Sequence, residues 1–215
     1  MIKDLQKILK NDKIELSREV LLRVVSWLES FGIIGYTTKL IDGKVQQRSM
    51  HMRYYFQDMG VASCFSYAAF ADDVAKRGYL AENYVYTVIR NKFYKGAGYS
   101  LDLLGEEPMF TTLTNPKGEL DFILCHIDFH KKIGIEVKSG KNKANTGQRM
   151  LDNNMIDQLY LLKGEAGCGQ HGNVITLPLY LADVIEFDFG EFHFRGFDPK
   201  LLDLIKTDSI SAFKE

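Results

Sequence analysis

Apolar residues along this chain recur with two different periods. After Ser17, a helix N-cap residue, Val20, Val24, Trp27, Leu28 and Phe31 return every three or four positions until Gly32. That spacing predicts a helix with Trp27, Leu28 and Phe31 buried. Ile33 to Leu40 and Lys44 to Phe56 read instead as strands joined at Asp42-Gly43, a pair that favours a tight hairpin turn. Helix followed by hairpin predicts a winged-helix-like module over residues 1–57, with the helix in the position that reads DNA. Arg18 and Arg23 are the only basic side chains on that helix, so packing or protein docking suits it as well as base recognition.

Residues 58–77, rich in alanine and aromatic side chains, predict a connecting helix, and residues 78–215 a larger domain. In that domain a helix from Tyr79 to Tyr94 places Glu82, Val85, Tyr86 and Ile89 on one face. Pro108 to Thr114 predicts a strand. Next, Leu120, Phe122 and Leu124 oppose Asp121 and Ile123, and Ile133, Ile135 and Val137 oppose Glu136 and Lys138. An antiparallel hairpin turning over residues 126–132 would set Asp121 beside Glu136 on one face. A helix from Asn153 to Lys163 and strands at Asn173–Ala182 and Phe187–Phe194 complete the reading. The fold class is α/β, a mixed sheet flanked by helices.

Composition narrows the class. With 215 residues, 46% hydrophobic and 26% charged, the chain is long and apolar enough for a globular core. No apolar run approaches a membrane span and the start lacks a signal segment, so a soluble, cytoplasmic chain with no membrane partner is expected. Cys64, Cys125 and Cys168 are odd in number and widely spaced, which argues against a disulfide framework. A net charge of −1 leaves no global basic footprint for nucleic acid. Locally the balance differs: residues 131–149 hold six Lys or Arg against the single Glu136, residues 1–53 hold ten against six acids, and residues 183–215 hold eight acids against four bases.

The chemistry lies in the two central strands. A carboxylate inside an apolar run is costly unless it is paired or bound to metal, and Asp121 sits in such a run. Hydrolysis of a phosphodiester calls for a divalent cation, and hard cations prefer carboxylate oxygens. Asp121 and Glu136 are therefore candidate ligands for Mg²⁺ or Mn²⁺, with Lys138 placed to hold or activate water. The plainer alternative is a solvated Glu-Lys pair on a strand, which contributes little. Cys168-x-x-His171 lacks two further ligands at finger spacing, so no structural zinc is expected. His126 and His130 read as surface residues of the hairpin turn. Gln158 lies where a helix side chain could reach a phosphate or water, although an exposed glutamine explains it equally.

The run Gly118-Glu119-Leu120-Asp121-Phe122, followed by Ile135-Glu136-Val137-Lys138-Ser139-Gly140, resembles the restriction-endonuclease-like superfamily, whose signature is an acid, a spacer, then (D/E)-x-K. Gly78-Tyr79-Leu80-Ala81-Glu82-Asn83-Tyr84-Val85 is similar to the G-x-x-x-E-N-x-V helix of one branch, the C-terminal domain of unknown function of prokaryotic AAA-type ATPases. Tyr54-Tyr55-Phe56-Gln57-Asp58-Met59-Gly60-Val61 and Leu177-Pro178-Leu179-Tyr180-Leu181-Ala182 resemble two more of its segments. The resemblance implies a nuclease core with Asp121, Glu136 and Lys138 as its site and Glu82 leaning in from the helix. For Glu82 the alternative is an acid favoured near a helix N-terminus by the macrodipole. Leu120 stands where classical members carry proline, and no G-x-x-x-x-G-K-[ST] phosphate loop occurs in these residues. Two functions follow as expectations: a metal-dependent deoxyribonuclease, or a non-catalytic DNA- or protein-binding domain serving an AAA-type ATPase in the same or another chain.

Overall fold

The computed structural model describes residues 9–11, 13–41, 44–45, 52–69, 72–94, 109–115, 118–125, 131–140, 145–164 and 167–190. Its helices include α1 (Arg18–Ser30), α2 (Met59–Ala69), α3 (Asp73–Tyr94) and α4 (Asn145–Asp152). The strands are β1 (Ile34–Ile41), β2 (Lys44–Val45), β3 (Met52–Phe56), β4 (Met109–Asn115), β5 (Gly118–Cys125), β6 (Ile133–Lys138), β7 (Gln158–Lys163), β8 (Gly169–His171) and β9 (Val174–Pro178). All nine belong to one mixed sheet ordered β2-β1-β4-β5-β6-β7-β9-β8, with β3 also paired to β1. Among the described residues no helix is long and apolar enough to cross a membrane.

The chain is thus α/β, a mixed sheet flanked by helices, but the expected wing is not a separate wing. β1 pairs antiparallel with β2 and β3, as a hairpin should, yet its other edge runs parallel to β4 from Thr38↔Thr111 to Ile41↔Thr114. The strands of residues 1–57 are therefore continuous with those of the larger region. A hairpin with an unpaired edge is marginal alone, and joining a larger sheet satisfies that edge.

The central strands β5, β6 and β7 are buried on both faces. On one side α3 lays Val85, Tyr86 and Ile89 on Tyr55, Phe122, Leu124, Ile133, Ile135 and Leu162. On the other, Leu120, Ile123, Ile156 and Leu159 meet Met150 of α4. Glycine at 134 is required by this second layer, since a Cβ there would lie 2.5 Å from Ile156 Cδ1 and 2.9 Å from Leu120 Cδ2. Burial on two faces also explains where the helix expected over Asn153–Lys163 went. The helix lies earlier, at α4, and the run Gln158–Lys163 is β7, central and parallel to both β6 and β9. Such a strand has no polar face, so its apolar run shows no alternation.

Smaller differences follow local chemistry. The single connecting helix expected at 58–77 is two helices, α2 and the start of α3; Asp72 caps the latter, accepting from Ala75 N at 2.9 Å. The strand expected to end at Ala182 stops at Pro178 and continues as a 3-10 helix, Leu179–Val184. Phe187 and Phe189 are buried, yet residues 185–190 form no strand. The rest of the stretch expected to reach Phe194 lies outside the described residues.

The helix α1 forms as predicted, with Ser17 Oγ accepting from Val20 N at 3.2 Å and Gly32 taking φ +67° after its end. Its burial does not follow the expectation. Leu21 is the buried side chain of α1, whereas Trp27 is 66% and Phe31 77% exposed. Val20 and Val24 are exposed as well, so most of the stripe read as core faces outward. Trp27→Ala is accordingly expected to change stability by no more than about 0.5 kcal/mol, while Phe122→Ala, in the packed layer, should cost about 3–5 kcal/mol. Urea unfolding of the two variants checks this, and acrylamide should quench the fluorescence of Trp27, the one tryptophan, as it quenches a solvated indole.

Candidate active site

The motif strands form the expected antiparallel hairpin, with Phe122↔Ile135, Ile123↔Gly134 and Leu124↔Ile133 in register. The next pair along this ladder would be Asp121 with Glu136, and there the ladder stops. Instead the Asp121 carboxylate takes a backbone donor, Val137 N donating to Oδ2 at 2.8 Å. The cause lies on the other edge of β5. Thr111 pairs with Ile123 but Leu113 with Leu120, so β5 carries one residue more than β4 between those pairs. A bulge of this kind bends a strand and re-aims one side chain. Its consequence is visible in the core: Leu120 and Ile123 share the layer under α4, while Phe122 and Leu124 face α3. Strict alternation, which would group Leu120 with Phe122, fails at Asp121.

Glu136 is 3% exposed, among the few buried polar or charged side chains of the described residues. It faces α4, where Gly147 N donates to Oε2 at 2.7 Å, and Lys138 Nζ lies 2.8 Å from Oε1. A backbone donor in the first turn of α4 suits an anion. Gly147 admits this contact because it has no side chain; a Cβ there would stand 2.6 Å from Glu136 Oε2 and 2.8 Å from Leu159 Cδ1.

On the α3 side Asp121 meets a charge cluster centred on Arg53 of β3. Arg53 Nη1 lies 2.5 Å from Glu82 Oε1 and 3.8 Å from Asp121 Oδ1, and Nη2 lies 2.6 Å from Glu119 Oε1. Tyr55 donates its hydroxyl to Glu82 Oε1 at 2.7 Å, and Lys39 Nζ donates to Glu119 Oε2 at 2.9 Å. Burial opposes the Arg53 charge, but Glu82, Tyr55 and Glu119 together hold its pKa above the usual guanidinium value. Burial first, then the charge of Glu82, pushes the Asp121 carboxyl up to about 7, against the pull of Val137 N–H, Lys138 and Arg53. Burial and Glu82 likewise raise the Tyr55 phenol well above its ordinary value, so it remains a donor.

The motif residues are therefore not on one face, which corrects the expected placement of Asp121 and Glu136 side by side. Glu82 and Arg53 reach Asp121 from the α3 side, and Glu136 is anchored from the α4 side. Lys138 links the two, paired to Glu136 and near enough to Asp121 to lower its pKa. Gln158 is not part of this site. It opens β7 opposite Ile133, whereas Lys138 pairs with Lys163 at the far end of the same ladder. His126, His130, Lys141 and Lys143 lie outside the described residues, and Arg149 is exposed on α4.

Arg53, Tyr55, Glu119 and Asn83 were not singled out by the sequence reading. Asn83 is fully buried and clamps α3 to the end of β3, accepting from Phe56 N at 2.8 Å and donating to Phe56 O at 2.9 Å. That clamp sets Glu82, one residue earlier, over Arg53 and Tyr55. The signal available was adjacency: Asn83 and Phe56 belong to the two short segments whose resemblance was noted, and the structure puts them in contact.

Among the described residues no three His, Cys, Asp or Glu side chains are grouped to hold a metal ion. Mg²⁺ is commonly held by one or two carboxylates with water completing its shell, and Asp121 and Glu136 are hard oxygen donors of that type. Comparison of the chain with family models, curated proteins and solved structures finds no match.

Gly147→Ala tests the α4 anchor. Its Cβ must displace either the Glu136 carboxylate or Leu159, so a loss of about 1–3 kcal/mol is expected. Thermal melts of Gly147→Ala and of an alanine replacement at exposed Gln148 should differ accordingly.

Proposed function

We propose that the protein is a restriction-endonuclease-like domain that engages DNA and hydrolyses its phosphodiester bonds with Mg²⁺, for which Mn²⁺ can substitute. The observation that carries this reading is the position of Lys138: its ammonium is held 2.8 Å from buried Glu136, at the point where β5 and β6 stop pairing and Asp121 begins. A surface Glu-Lys pair would not be seated in a sheet with one partner buried and backbone-anchored.

Asp121 and Glu136 would hold the cation, which when bound supplies neutralisation of the phosphate and polarises water. Lys138, fixed by Glu136, positions the attacking water and adds positive charge where the phosphoryl oxygens gain negative charge. The water oxygen forms the new bond to phosphorus and gives up a proton to solvent, the bond to one sugar oxygen breaks, and that oxygen takes a proton from solvent to leave as a hydroxyl. The N–H groups of Val137 and Gly147 fix the two carboxylates in advance, so little reorganisation is left for the reaction.

A second reading is favoured by Arg53. A guanidinium already neutralising Glu82, Glu119 and Asp121 is what a structural charge cluster would contain, and it supports a non-catalytic DNA- or protein-binding domain of an AAA-type ATPase.

Nicking of supercoiled plasmid decides between them. Under the nuclease reading, protein with Mg²⁺ or Mn²⁺ converts plasmid to open-circle or linear forms, and Asp121→Asn and Glu136→Gln abolish this at unchanged circular dichroism. Lys138→Ala should slow cleavage by about 100-fold or more while affecting metal binding less. Absence of cleavage on single- and double-stranded DNA with either metal, or cleavage that survives Asp121→Asn, leaves the non-catalytic reading.

A further inference from the structure

We propose that Arg53 is the resident cation of this site and holds it shut against a divalent ion. The inference rests on the nuclease reading and assigns its regulation to a residue outside the motif. Arg53 comes from β3, far in sequence from β5 and β6, yet its fork spans acids from two elements: Glu82 of α3, and Glu119 and Asp121 of β5. All four side chains are partly buried, so solvent screens their charges only in part. An ion bound by Asp121 would sit beside the guanidinium, and like charges at such separation repel strongly.

The geometry also supplies a way to open. Glu119 binds Arg53 through Nη2 at 2.6 Å, whereas the contact to Asp121 runs through Nη1 and is 3.8 Å long. Glu82 holds Nη1 as tightly, at 2.5 Å, so Arg53 can leave Asp121 while Glu82 and Glu119 retain it. A phosphate approaching the cleft offers the same planar guanidinium a bidentate partner of equal charge type. Nucleic acid would then draw Arg53 outward and admit the metal, so that metal binding strengthens when substrate arrives.

Mn²⁺ binding to the whole chain, followed by the spectroscopic signal of the free ion, tests this without relying on turnover. Arg53→Met should bind Mn²⁺ at least about tenfold more tightly than the unaltered protein, and adding Asp121→Asn to it should remove the gain. Lys39→Met deletes a positive charge from the same cluster but touches only Glu119, so it should change affinity less than about threefold; an equal gain there would reduce Arg53 to a background charge and overturn the proposal. If circular dichroism shows Arg53→Met unfolded, Arg53→Gln decides: it removes the charge but keeps an amide donor for Glu82 or Glu119, and affinity tighter than that of the unaltered protein is expected, whereas unchanged affinity overturns the gate. Equal affinity in folded Arg53→Met, with Asp121→Asn still abolishing binding, sinks the gate and leaves the nuclease reading standing. Mn²⁺ binding indifferent to both Asp121→Asn and Glu136→Gln overturns the two together.

Discussion

A carboxylate placed inside a buried sheet has to find compensation within hydrogen-bond reach, and Asp121 finds it by interrupting the sheet. One extra residue in β5 ends its ladder with β6 after Phe122 and Ile135, and the side chain takes the Val137 N–H that Leu120 would otherwise oppose. The same bulge divides the strand's apolar residues between two cores, Leu120 and Ile123 under α4, Phe122 and Leu124 under α3. Packing on both faces thus maintains the irregularity. Restoring regular alternation would move Leu120 out of one core and leave Asp121 without a donor.

Much of this was legible because period-two patterning survives wherever a strand has unequal faces. The β5/β6 hairpin and the opposed sets Ile133, Ile135, Val137 and Glu136, Lys138 follow from it, while the helix carrying Glu82 follows from its 3.6-residue period. The bulge was not legible, since a single added residue leaves composition and turn signals unchanged while reversing the face of what precedes it. Nor was Arg53. It lies in a strand paired to nearby β1, and its role is set by acids brought to it from α3 and β5 by tertiary packing.

Two further misreadings have one origin. Hydrophobic periodicity reports which residues form a stripe, not whether anything covers it. In α1 the stripe ending at Trp27 and Phe31 is real, but the side chain that is buried is Leu21. In Gln158–Lys163 the apolar run is real as well, and both faces are covered, so a central strand imitated a helix segment.

Charge counting within the cleft links the bulge to Arg53. Lys138 and Glu136 offset one another across 2.8 Å. On the α3 side Lys39 and Arg53 face three carboxylates, Glu82, Glu119 and Asp121, one more than they can balance. The excess falls on Asp121, the acid with the longest contact to Arg53, whose carboxyl is pushed upward by burial and by Glu82. Protonating that one group would bring the cluster to neutrality without any added ion. A divalent cation entering here would therefore meet a cluster nearly balanced by its own side chains, and would have to displace positive charge as well as attract negative.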